Sequence, residues 1–150
     1  MRLNSFFGII ITLILFSTLS TEANAQCKGF TKRNCAGELK NYNDNGQYNG
    51  AVMFEGEEAT LMQTFYSNQE YRLFVCTQES IEEGMYFEVK DYRNNLIYSS
   101  QGKNSKVFDF NVESTQQLKV EVIVPGKGAG ATQIKKNGCV SILVGFKEGY

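Results

Sequence analysis

Residues 118–125 read Leu-Lys-Val-Glu-Val-Ile-Val-Pro, and this stretch decides the fold class. Leu118, Val120, Val122 and Val124 fall on one side of an extended chain, with Lys119 and Glu121 on the other. Successive strand side chains point to opposite faces, so a period of two marks a strand with one dry face and one wet face. Pro125 closes the run, because proline lacks the donor that a strand ladder needs.

The same rhythm continues outward in both directions. Phe108, Phe110 and Val112 alternate with Asp109 and Asn111. Met85, Phe87 and Val89 alternate with Tyr86, Glu88 and Lys90, while Ala59, Leu61 and Phe65 oppose Thr60, Met62 and Thr64. Shorter apolar runs occupy 51–54, 71–76 and 96–98, and the last, 139–147, is apolar on both faces. Polar clusters such as Ser67-Asn68-Gln69-Glu70 and Arg93-Asn94-Asn95 separate them. About eight strands with frequent turns and no long helical period predict an all-β fold. The specific expectation is an antiparallel β-sandwich, jelly-roll-like, with a short N-terminal helical or loop appendage.

The chain has 150 residues. Residues 1–25 read as a cleaved signal peptide: Arg2, an apolar run from Phe6 to Phe16, then Ala23-Asn24-Ala25 as an A-x-A cleavage signature. An apolar stretch that short spans only about half of a ~30 Å hydrocarbon core, so no transmembrane anchor is predicted after cleavage. Residues 26–50 form a polar appendage pinned by a disulfide, and 51–150 form the sandwich. Gln26 before Cys27 is too large for a lipobox. Four cysteines in an exported chain predict two disulfides. The expected pairing is Cys27–Cys35, closing a short loop, and Cys76–Cys139, tying two strands. No C-x2-C spacing occurs, which argues against a zinc site or a redox pair.

Composition removes whole classes of chemistry. There are no histidines, so Ser-His-Asp and Cys-His devices and His-ligated zinc are excluded. The net charge of −1, with pI near 5.6, argues against a nucleic-acid partner. Carboxylates remain as candidate acids or bases: the adjacent pairs Glu57/Glu58 and Glu82/Glu83, and Asp109. Both pairs fall in predicted turns, where neighbouring acids face water. Asn43-Asp44-Asn45-Gly46 resembles part of a calcium loop, but the following residues break the ligand frame, leaving Glu55, Glu57 or Glu58 as a looser loop site. Gly126-Lys127-Gly128-Ala129-Gly130 lacks the helix and the Lys-Ser/Thr of a phosphate loop, so Lys127, Lys135 and Lys136 read as a solvated basic tip. No cofactor, metal site or catalytic residue is therefore predicted. A binding face is predicted instead at Tyr86, Glu88, Tyr92 and Tyr98, since amphipathic rings recur at interfaces. The absence of Trp weakens a carbohydrate platform.

The segments TFYSNQEYRLFVC, YFEVKDYRNNLIYSS, FDFNVESTQQLKVEVIVP and GCVSILVGFK cover most of residues 64–147. Their rhythm resembles small exported bacterial β-sandwich proteins of unknown function, and also pre-peptidase C-terminal and GOLD-type modules. Gln69-Glu70-Tyr71-Arg72-Leu73 stands for the first phrase of those modules, and Val89-Lys90-Asp91 with Leu96-Ile97 for the second. Asn94-Asn95 replaces their glycine, and Leu118-Lys119-Val120 lacks the preceding Gly-x-Tyr. The resemblance implies a jelly-roll-like sandwich and transfers no active residues. The functional expectation is an exported, periplasmic or extracellular, non-catalytic protein of the bacterial envelope that binds a protein or cell-surface ligand. The alternatives are a histidine-free carboxylate hydrolase and a subunit assembling through sheet edges.

Overall fold

The computed structural model describes residues 22–126 and 134–148. The polar N-terminal segment forms helix α1 (Glu22–Asn34) and a 3-10 turn (Ala36–Leu39). Nine strands follow: β1 (Asn43–Asp44), β2 (Asn49–Phe54), β3 (Glu58–Phe65), β4 (Gln69–Thr77), β5 (Tyr86–Lys90), β6 (Leu96–Ser99), β7 (Val107–Val112), β8 (Gln116–Ile123) and β9 (Asn137–Glu148). A second 3-10 turn, Glu79–Ile81, follows β4. Residues 1–21, most of the expected signal peptide, and 127–133, with Lys127, lie outside the described residues.

All strand pairs are antiparallel. Sheet A runs β2-β9-β4-β7, with β1 beside β2 on the same flank of β9, and sheet B runs β3-β8-β5-β6. The chain passes repeatedly from one sheet to the other, and only β5–β6 is a local hairpin within a sheet. This is the strand order of a jelly roll, two Greek keys folded into a double sheet. Between the sheets lie Phe65, Leu73, Val75, Phe87, Val89, Leu118, Val120, Val122 and Val144, each no more than 1 % exposed. The inward set of residues 118–124 is the one the alternation marks.

A second apolar layer explains why β9 is apolar on both faces. Leu143, Phe74 and Cys76 point away from the main core and meet Cys35, Leu39 and Tyr42 of the N-terminal segment. The segment approaches closely because β9 carries Gly145, where a Cβ would lie 2.6 Å from Tyr42 Cβ and 3.1 Å from Leu39 Cδ2. Cys27 and Thr31 of α1 and Cys35 just past its end recur every fourth residue and are buried, while Lys28, Lys32 and Arg33 are exposed. Thr31 Oγ1 donates to Cys27 O at 2.8 Å and shares a 2.5 Å hydrogen bond with Ser141 Oγ of β9.

The disulfide pairing expected from the sequence is corrected. The bonds are Cys27–Cys139 and Cys35–Cys76, so both run from the N-terminal segment to the central strands β9 and β4. Helix geometry explains the correction: eight residues along a helix rise about 12 Å, well beyond the ~7 Å Cα limit for a disulfide. Cys76 and Cys139 do sit on adjacent strands, but Cys76 faces Ser141 in the register, and each sulfur turns outward to the helix layer.

Candidate binding face

Sheet B has no covering layer among the described residues. The register places Glu58, Thr60, Met62 and Thr64 of β3 in line with Ile123, Glu121, Lys119 and Gln117 of β8. Across β8, Tyr86, Glu88 and Lys90 of β5 stand opposite Ile123, Glu121 and Lys119. The pairing sets Glu88 against Glu121 and Lys90 against Lys119, and like charges opposite one another repel. Long side chains resolve the conflict along each strand and across one diagonal. Lys90 Nζ lies 2.8 Å from Glu88 Oε2 and also pairs with Glu121, whose other oxygen is 2.8 Å from Lys119 Nζ. Hydrogen bonds donated to Glu121 and then Glu88 push the Lys90 ammonium above its ordinary range. Those from Lys119 and then Lys90 hold the Glu121 carboxyl below the usual carboxylate value. The four charges sum to zero.

Apolar side chains flank this ladder on both sides. Met62 is 48 % exposed on β3, and Leu96 and Ile97 are 56 % and 48 % exposed on β6. The β5–β6 turn beside them is held by Asp91, whose Oδ1 accepts from the amides of Arg93 and Asn95, both at 2.8 Å. The side-chain hydrogen bond from Asn95 is the main cause of the lowered Asp91 pKa. Asn94 takes φ 63° in this turn, a conformation that asparagine tolerates better than most residues. Tyr92 thus projects from an ordered turn, 70 % exposed, with the Arg93 guanidinium 5.1 Å from its ring centroid.

The four residues singled out from the sequence separate into three places. Tyr86 and Glu88 stand together on the outer face of sheet B, and Tyr92 occupies the turn beyond Lys90. Tyr98 is on neither: it pairs with Val89, and its ring stacks inward on Phe108 at 4.2 Å. A register shift between Val89 and Lys90 sets that parity, which a three-residue apolar run does not reveal. Sequence reasoning left out Met62, Leu96, Lys119 and Glu121 as members of the face. Their signal was the outward parity of β3 and β8, but only the register joins them.

Of the candidate acids, Glu58 stands at one end of this face, and Glu55, Glu57, Glu82 and Asp109 lie elsewhere, each engaged by a partner. Glu57 Oε2 accepts from Phe54 N at 2.9 Å, Glu55 Oε2 accepts from Lys136 N at 3.4 Å, and Glu82 pairs with Lys106 at 2.6 Å. Glu58, at the start of β3, and Glu83 are exposed. Asp109 points outward on sheet A and receives a bidentate pair from Arg72 at 2.8 and 2.7 Å. Arg72 and Lys147 lie 4.6 and 4.1 Å from the Tyr42 ring, and the Tyr42 hydroxyl donates to Glu70. Burial, aided by Glu70, raises the Tyr42 pKa to about 12. This cluster fastens the N-terminal layer to β4 and β9. Lys135 and Lys136 are exposed. Among the described residues no group of three or more His, Cys, Asp or Glu side chains is placed to hold a metal ion, and no helix is long and apolar enough to cross a membrane.

No family model matches the chain, so the resemblance to pre-peptidase C-terminal and GOLD-type modules remains one of pattern. No curated protein matches it either. Among solved structures it is similar to a periplasmic inhibitor of g-type lysozyme from Aeromonas hydrophila. The two share 10 % identity over 72 % of this chain and 90 % of that chain, with a TM-score of 0.48. A likeness at that level carries no inference about function.

Proposed function

We propose that this chain is an exported, non-catalytic binding protein of the bacterial envelope whose outer sheet-B face meets a protein partner. The carrying observation is the bare face itself, with a neutralised charge ladder at its centre and Met62, Leu96 and Ile97 at its sides. Such a surface presents no net charge to a partner and gains from burial of its apolar flanks, at about 25 cal/mol per Å². Tyr92, held on the Asp91-braced turn, is an aromatic anchor whose backbone is already ordered. Export is supported by the signal-like N-terminus and by two disulfides, which persist in oxidising compartments. The engagement of Asp109 with Arg72 speaks against a role as a free base.

The test is affinity capture from envelope extracts with three immobilised forms: wild type, the double variant Tyr92→Ala/Leu96→Asp, and Asp109→Asn on the opposite sheet. The expected result is a partner retained by wild type and Asp109→Asn but weakened about tenfold or more by the double variant. Equal retention by all three forms, or no retained protein at all, would overturn the proposal.

A further inference from the structure

A second site lies at the open side of the sandwich, between β3 and the link from β1 to β2. We infer that this cleft, about 520 Å³, binds a short uncharged oligosaccharide. Its volume lies within the range of small-ligand sites. None of the described residues lining it is charged, in a chain where 21 % of residues are Asp, Glu, Lys or Arg. A phosphate, a carboxylate or a free peptide terminus entering it would be desolvated without a counter-charge.

Its polar atoms are carboxamides and phenols. Gln63 carries the argument furthest, because the register places it on the inward face of β3, between Leu61 and Phe65. A glutamine at a core-facing position is costly unless its amide is used. Its Nε2 donates to Thr64 O at 3.1 Å, leaving a second hydrogen and the acceptor oxygen for another partner. Asn45, across the cleft, accepts from Gln47 N at 2.9 Å, while its buried Nδ2 has no partner among the described residues. Tyr71 and Gln69 are pre-oriented: the Tyr71 hydroxyl accepts from Tyr66 N at 2.9 Å and donates to Gln69 Oε1 at 2.5 Å.

Side chains that both donate and accept suit neighbouring hydroxyls, each of which is itself donor and acceptor. A sugar ring also presents an apolar C–H face. Tyr66, 60 % exposed at the rim, offers the flat surface that such a face stacks against, supplying from a tyrosine what the absence of Trp withholds. The cleft adjoins the sheet-B face at Met62, which borders both, but contains none of the four ladder charges.

The test is a ¹H–¹⁵N titration of the oxidised protein, following the side-chain amides of Gln63, Gln69 and Asn45. The neutral probes are cellotetraose, maltotetraose and tetra-N-acetylchitotetraose; the controls are tetragalacturonate and a capped neutral tetrapeptide. At least one neutral sugar is expected to shift those amides with a Kd below about 1 mM. Tyr66→Ala, which leaves Tm unchanged, and Gln69→Ala are each expected to weaken it about tenfold, while Asp109→Asn on the outer face of sheet A leaves the affinity unchanged. The inference is overturned if no neutral sugar binds by about 10 mM. It is equally overturned if tetragalacturonate or the peptide binds as tightly as the best sugar, or if Tyr66→Ala binds like wild type.

Discussion

The two sheets turn opposite kinds of surface away from their shared core. On sheet A the outward positions Phe74, Cys76 and Leu143 are no more than 7 % exposed, because the N-terminal segment covers them. On sheet B the corresponding positions are Lys90, Lys119 and Glu121, whose side chains retain 20–23 % exposure and pair with one another and with Glu88. The first face gains stability by excluding water. The second keeps its charges at little cost by pairing them, and such partly exposed pairs contribute at most about 1 kcal/mol each. The covered face is therefore where stability resides, and the open face is where a partner can be met with little loss to the fold.

The largest expected effect breaks the covered side. The two disulfides join residues 112 and 41 apart in sequence. In the loop-entropy model each stabilises by roughly 4–5 kcal/mol, with the sum reduced because one loop lies inside the other. Reduction should lower Tm by more than about 10 °C by differential scanning calorimetry. Hydrogen exchange should accelerate first in α1 and in the strand amides beneath it. A Tm shift of under about 2 °C would mean that the helix layer holds without its cross-links.

That layer was also the part least legible in the sequence. Every strand from β2 to β9 was visible, β3, β5, β7 and β8 by alternation and β2, β4, β6 and β9 as apolar runs. Helix α1 was not, because the buried stripe along it and just past its end consists of Cys27, Thr31 and Cys35 rather than of leucines, so the period of four carried no hydrophobic signal. The same stripe held the disulfide map: two cysteines two helical turns apart cannot bond each other and must both face a common neighbour. Strand β1 was hidden for a different reason. Its two exposed residues, Asn43 and Asp44, are strand only through pairing with Phe146 and Gly145. For the binding face, outward parity of Glu88, Lys90, Lys119 and Glu121 could be read directly, but which ones meet could not. That depends on the β5–β8 register, a long-range property set by the core side of the same strands.

Matched truncations sharpen the contrast at a smaller scale. Leu143→Ala removes an outward side chain that is 6 % exposed beneath the N-terminal layer and should cost about 2–4 kcal/mol in urea unfolding. Ile123→Ala, on the half-buried outer face of sheet B, should cost less than about 1 kcal/mol. Equal costs would erase the distinction between the faces. Gly145→Ala probes the same layer by overfilling it. With Tyr42 Cβ 2.6 Å from the new carbon, a loss of about 1–3 kcal/mol is expected, and it should shrink once the disulfides are reduced and the layer can yield.

The smallest effect concerns the open face and is read against pH. Glu121 has its carboxyl pKa lowered in the fold from the ordinary 4.5, mainly by Lys119 and then Lys90. A depressed folded value means that the unfolded chain binds the proton more readily. The contribution is thus complete above about 4.5 and is lost as pH falls below it through the folded value. With the side chain 20 % exposed, it amounts to no more than about 1 kcal/mol. Glu121→Gln should therefore lower stability slightly at pH 7 and approach wild type as pH falls below about 4.5, a pattern that urea midpoints across that range would resolve. Salt gives the second readout: about 1 M NaCl should narrow the pH 7 difference, because partly exposed pairs are screened. If the variant instead stays equally destabilised at acid pH and high salt, Glu121 acts through packing rather than charge. The outer face of sheet B would then be a second structural layer like that of sheet A, rather than a surface left open for a partner.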